Sequence, residues 1–171
     1  MTELLLKPKR GGFLRSFGCG WFIREYLLGH GPEDSPVTNI ERGAPQADIF
    51  YHYKMSLLKV TAEDKAARQE ERQAKREKRS IEPSNIENLT KRYVERMPYK
   101  ANGCRYHSFV VYFSNLRRLH WVEPSGFEEA SQMQEHYAAG QPRRYYRLTA
   151  IGRNASDRAW SNPYHALYGR L

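Results

Sequence analysis

The sequence predicts a mainly α-helical chain with a small antiparallel β-finger toward its C-terminal end. Three observations predict it. Apolar residues recur at three- and four-residue steps in four separate segments. Residues 143–149, RRYYRLT, alternate with period two instead. The 171 residues, 40% hydrophobic and 13% aromatic, suffice for one real core but hardly for two.

The first helical pattern is FLRSFGCGWFIREYLL (13–28), with Phe13, Phe17, Trp21 and Leu28 close to one face. Gly18 and Gly20 weaken it, since each costs about 1 kcal/mol against alanine inside a helix. Gly29, His30 and Gly31 stop it, and residues 32–46 read as a polar, proline-punctuated loop. From Asp48 a second helix presents Ile49, Tyr53, Leu57 and Val60 on one face and runs on into TAEDKAARQEERQAKREKR (61–79). That extension has excellent helix formers but no apolar heptad, so it reads as a solvated helix held by pairs such as Glu71–Lys75. Its interspersed acids argue against a phosphate-binding arm. Thr61-x-x-Asp64 offers an alternative, a capping box opening a new helix.

Residues 80–84 break that helix, and Ser84 reads as the N-cap of a third, with Ile86, Leu89, Tyr93, Val94 and Met97 on one side. Pro98 ends it. After the turn 99–103 comes YHSFVVYFSNLRRLHWV (106–122), with Phe109, Phe113, Leu116 and Leu119 on one flank. Two helices joined by a short glycine-containing turn make a helix-turn-helix candidate. WVEP (121–124) reads as a strand, 125–142 as a polar connector and 143–149 as the returning strand. On that strand Tyr146 and Leu148 face the core, while Arg143, Tyr145 and Arg147 face water. A helix from about Gly152 to Trp160 closes the chain, and the rest reads as a tail. The expected organisation is 1–47, helix and loop; 48–80, amphipathic then charged helix; 84–160, helix-turn-helix with β-finger; and 161–171, tail.

Net charge is +9, with an isoelectric point near 9.6, which favours anionic partners: nucleic acid first, an acidic membrane surface or acidic protein second. Mean hydropathy is −0.81 and no long apolar run occurs, so no membrane-spanning helix is expected. MTELLLKPKRGG has the wrong order and length for a secretory leader. Cys19 and Cys104 form no CxxC pair and have no histidine at ligand spacing, so they read as two buried thiols in a reducing compartment rather than a zinc site. His107 and His120 have no partner that suggests metal or acid–base work. No phosphate loop, nucleophile elbow or HExxH is present, so an enzyme is not expected, nor a cofactor.

The order of helix, turn, helix ending in NLRRLHWVE, strand, loop and RRYYRLTAIGRNA resembles the winged-helix fold. Its wording is similar to that of PadR-type and MarR-type transcriptional regulators. There the recognition helix ends in an L-x-x-L-x-x-x-G-L-V-E-like run, and the wing's returning strand reads R-x-Y-x-L-T-x-x-G. Leu116, Leu119, Trp121, Val122 and Glu123 match the first run, with His120 where the family usually has glycine. Arg144, Tyr145, Tyr146, Leu148, Thr149 and Gly152 match the second. The resemblance covers residues 84–160. It departs from the pattern in a long acidic connector, PSGFEEASQMQEHYAAGQP, and in an extra helix before the helix-turn-helix.

The resemblance implies a winged helix-turn-helix with extra N-terminal and inserted helices, binding double-stranded DNA as a homodimer in the cytoplasm, at the nucleoid. With Phe109 and Phe113 turned inward, the outward residues of 106–120 include Tyr106, His107, Val111, Ser114, Arg117 and Arg118, with Lys100 and Arg105 just before them. Such a helix fits the major groove. Arg143, Arg144 and Arg147 would place the wing on the backbone. Two alternatives remain: an RNA-binding or ribonucleoprotein-associated component, and a winged helix used for protein contacts.

Overall fold

A computed structural model describes residues 18–32, 37–97, 105–129 and 142–169. It is mainly helical, with a three-stranded antiparallel sheet. Helix α1 (Cys19–Leu27) leads to a two-residue strand β1 (Ala44–Pro45) and then to α2 (Gln46–Glu77). Helices α3 (Pro83–Arg96) and α4 (Tyr106–Arg118) follow, then strands β2 (Val122–Glu129) and β3 (Arg143–Leu148). Three short helices end the chain: α5 (Ala150–Asn154), α6 (Asp157–Ser161) and α7 (Pro163–Tyr168). The mainly α expectation with a small β-finger holds at this level.

Helix α1 is buried nearly all round rather than on one face. Phe22, Ile23, Tyr26 and Leu27 enter the core, and Trp21 and Leu28, expected there, are only half-buried. Phe13 and Phe17 lie outside the described residues. Burial of Arg24 and Glu25 is tolerated because both are paired, Arg24 with Asp157 at 2.8 Å and Glu25 with His30 at 2.7 Å. Cys19 is buried, and Cys104 lies outside the described residues.

Helix α2 is one continuous 32-residue helix. Thr61 caps nothing: its hydroxyl donates back to the Leu57 carbonyl at 2.8 Å, an in-helix bond that rules out a new start there. The first half of α2 buries Ile49, Phe50, Tyr53 and Leu57 in the core. The second half buries a small-residue row, Ala62, Ala66 and Ala74, together with Glu70. Helix α3 lies along that row as the return leg of an antiparallel hairpin, its Ile86, Leu89 and Tyr93 half-buried and none fully so. Pro83, not Ser84, opens α3; it occupies the first turn, where a missing N–H costs nothing.

The hairpin turn is locked by Glu70. Its carboxylate accepts Arg79 Nη2 at 3.2 Å and the Glu82 backbone N–H at 3.0 Å. The Arg79 hydrogen bond, and next the Glu82 N–H, hold the Glu70 carboxyl down from 4.5 to about 2.

Helix α4 packs chiefly on α2, the sheet and α7, and not on α3 as a helix-turn-helix over 84–120 requires. Its rings meet α2 and the sheet: Phe109 lies tilted 5.3 Å from Phe50 between centroids, and Phe113 lies edge-on 5.1 Å from Tyr146. The turn 98–104 falls outside the described residues. Helix α4 ends in a Schellman motif, with Trp121 N–H on the Leu116 carbonyl and His120 N–H on that of Arg117. That motif needs a left-handed residue, and His120 supplies it at φ 58°. Glycine would meet this left-handed position without the Cβ penalty that histidine bears.

Strand β3 is central, in the order β1-β3-β2. Its register sets Val122 opposite Leu148 and Glu129 opposite Arg143, with a bulge between Pro124 and Glu128. Strand β2 therefore runs five residues past the expected WVEP, and residues 130–141 lie outside the described residues. The expected closing helix is two helices, α5 and α6, capped by Thr149 and Ser156. The expected tail contains α7, capped by Asn162 and opened by Pro163. The L-T-x-x-G step has a mechanical meaning. Thr149 accepts the Gly152 N–H at 3.0 Å, and a Cβ on Gly152 would lie 2.2 Å from the Trp121 carbonyl oxygen. Trp160, fully buried, donates its indole N–H to the Gly152 carbonyl at 2.9 Å and lies tilted against Trp121, centroids 4.8 Å apart.

Gly152→Ala is expected to destabilise by about 1–3 kcal/mol, by overpacking. His120→Gly is expected to stabilise by up to about 1 kcal/mol, left-handed strain outweighing glycine's extra chain entropy. Urea midpoints check both, and a large loss in His120→Gly contradicts the capping account.

Glu70→Gln is expected to lower the melting temperature at neutral pH. Because the folded pKa lies below the unfolded one, the Glu70 contribution is complete above 4.5 and is lost as pH falls through about 2. The gap between variant and wild type should close over that window, and a constant gap contradicts it.

Candidate nucleic-acid interface

The outward flank of α4 is set by its inward one. Phe109, Phe113 and Leu116 are buried, so His107, Val111, Ser114 and Arg118, at helical steps between them, are exposed. Arg105 precedes the first turn and is also exposed, as is Tyr106, whose ring edge still touches Phe50. Lys100 lies outside the described residues.

Two cations of α4 are positioned by neutral groups. Arg118 donates to the Tyr168 hydroxyl at 2.6 Å and sits over that ring. Arg117 lies 5.3 Å from the centroid of Tyr146. Arg117 thus lies against β3 and Arg118 against α7, and neither takes part in an ion pair among the described residues. Helix α7 and Tyr168 escaped the sequence reading, although the Asn-Pro step opening α7 is a start signal.

The finger arginines are differently placed. Arg143 pairs with Asp48 in the first turn of α2. Arg144 faces Glu128 at 3.6 Å across the ladder, with both side chains largely exposed. Arg147 lies between two carboxylates, Glu123 and Glu41, each at 3.0 Å. Glu41 also accepts Arg153 at 3.0 Å, and this bond, more than Arg147, holds its carboxyl below the usual range. The four groups line a cleft of about 320 Å³ in which the two charges of each sign offset one another. Arg143 and Arg147 thus tie β3 to α2 and to the 37–43 segment.

Tyr145 is not on a wet face. Its ring meets Phe127 edge-on at 4.7 Å, Arg42 lies over it, and its hydroxyl donates to Glu129 at 2.6 Å. Burial first, then the Glu129 carboxylate, raises its pKa. Tyr146 sits in the core as expected, so both rings are enclosed and neither is free to stack on a base.

Among the described residues no three His, Cys, Asp or Glu side chains come together as a metal-ligand set. No described helix is long and apolar enough to cross a membrane.

Compared with known proteins, the chain matches no family model, no curated protein and no solved structure.

Replacing Arg147 with Gln is expected to cost about 1–2 kcal/mol of stability, the worth of a charge-assisted pair on a half-exposed side chain. It should leave affinity for any polyanion within about twofold and the salt slope unchanged, whereas an arginine that grips phosphate would flatten the slope on removal. Thermal melts and binding isotherms on the same variant check this; weakened affinity with unchanged stability contradicts it.

Proposed function

We propose that the protein binds double-stranded DNA as a transcriptional regulator of winged-helix type in which α2, not α3, supports the recognition helix, with α4 in the major groove and the β2–β3 finger beside it. The observation that carries the reading is the geometry of α4. One flank is fixed by rings of α2 and β3, and the other, from Arg105 to Arg118, is exposed next to a two-stranded finger. A helix held this way meets base edges while its core packing stays intact. The net charge of +9 supports a polyanion as partner.

On this reading Arg105, Arg117 and Arg118 supply phosphate or guanine contacts, and His107, Val111 and Ser114 face the groove floor. Of the finger arginines only Arg144 is free enough to reach the backbone; Arg143 and Arg147 act as structural ties. The proposal keeps a homodimer, which a solution mass measurement with and without duplex tests directly.

A second reading, docking on an acidic protein, draws on one feature. Val111 and Tyr106 are exposed apolar groups on α4, 52% and 45% accessible, while the finger charges are largely paired.

A labelled-duplex titration at several salt concentrations separates these readings. The wild type is expected to bind with a steep negative salt slope. Arg105→Gln with Arg118→Gln should flatten that slope by about 2 and weaken binding at least about tenfold. Absent or salt-insensitive binding overturns the proposal, and preference for structured RNA over duplex moves it to the RNA class.

A further inference from the structure

The charged second half of α2 looks mixed in sequence but is sorted in space. Lys65, Arg68, Arg72, Lys75 and Arg76 follow at three- and four-residue steps, which puts them on one face. All five are exposed, and none takes part in an ion pair among the described residues. The acids lie elsewhere around the helix. Glu63, Glu70 and Glu77 share the row turned toward α3, where Glu70 is buried and Glu77 is bound to Arg79. Asp64 and Glu71 line one border of the basic face. The alanine row that α3 covers is on the opposite side.

The same row continues backward along α2 through Thr61, Leu57, Lys54 and Phe50. Phe50 is where α4 docks, through Tyr106 and Phe109. The basic face therefore looks out from the same side of α2 as α4 does, farther along an unbroken rod. At 1.5 Å per residue it begins about 22 Å beyond Phe50 and ends near ~39 Å. A turn of duplex is about 34–36 Å. No exposed large apolar residue lies on α2 between 52 and 77, so the face has nothing to insert into a bilayer or an apolar interface.

We infer that this face of the α2–α3 arm is a second nucleic-acid contact, a row of cations that grips the phosphate backbone about one turn away from the site of α4. The inference rests on the proposed DNA reading and adds a place to it. It also relocates the backbone grip, since the finger arginines of β3 are mostly bound to carboxylates while these five cations are free.

The test compares Arg68→Gln/Arg72→Gln/Lys75→Gln with wild type, as full chains, on a duplex of about 8 base pairs, shorter than one turn, and one of about 30. On the long duplex the triple variant should bind at least about tenfold more weakly, with a salt slope flatter by roughly 2–3. On the short duplex the two proteins should differ by less than about twofold. Arg68→Lys/Arg72→Lys, which keeps the charge, should restore long-duplex binding. An unchanged melting temperature shows that the triple variant is folded.

If wild type binds duplex and the triple variant matches it on both lengths, the arm contact is overturned and the α4 reading stands. If wild type binds neither duplex, both fall. Equal weakening on both lengths also overturns the arm contact, as does binding to phosphatidylserine-rich vesicles or an acidic polypeptide in place of duplex.

Discussion

The aromatic ladder through Phe50, Phe109, Phe113 and Tyr146 is the constraint on which the rest of the molecule depends. It joins α2, α4 and β3 through buried rings in mutual contact, each burial contributing about 1.5–3 kcal/mol. Because the ladder occupies one flank of α4, the orientation of the opposite flank is decided. The same ladder orients α2, whose remaining length then carries the hairpin arm outward in a fixed rotational setting.

Charge is handled by pairing near the sheet and by segregation on the arm. Around β3 every arginine from 143 to 153 finds a carboxylate, so this basic stretch is nearly neutral as a surface. On α2 the row Glu63, Glu70 and Glu77 is turned toward α3, where Glu70 bonds the turn, Asp64 and Glu71 keep to one border, and the cations are left together. Unpaired cations on one face repel one another and stabilise nothing internally. On the proposed reading their attraction is directed outward, to a ligand that supplies closely spaced negative charge.

Much of the fold was legible because its signals are local. The apolar steps of 106–118 and of 48–60, the strand from Arg143 and the L-T-x-x-G step all survive with their boundaries shifted by a few residues, though Tyr145 breaks the strand's alternation. What escaped depends on partners distant in sequence. Nothing in GWFIREYLL announces that Arg24 and Glu25 are buried, because Asp157, the partner of Arg24, lies 133 residues away. Helix α3 has the apolar stripe of a core helix, yet it pairs with an alanine row that carries almost no hydrophobic signal. That pairing moved α3 away from α4 and hid the helix that supports α4. The site was legible in part: the outward row of α4 follows from its period, but the capture of Arg143 and Arg147 requires Asp48 and Glu41. Likewise, acids and bases interspersed along 61–79 cannot be sorted into faces until the buried side of the helix is known.

The most direct measurement is an isotope-labelled backbone-amide titration with duplex DNA. Shifts are expected at His107, Val111, Ser114 and Arg118, with the buried neighbours Phe109 and Phe113 nearly still. Perturbation confined to surfaces away from α4, or no perturbation at all, contradicts the account.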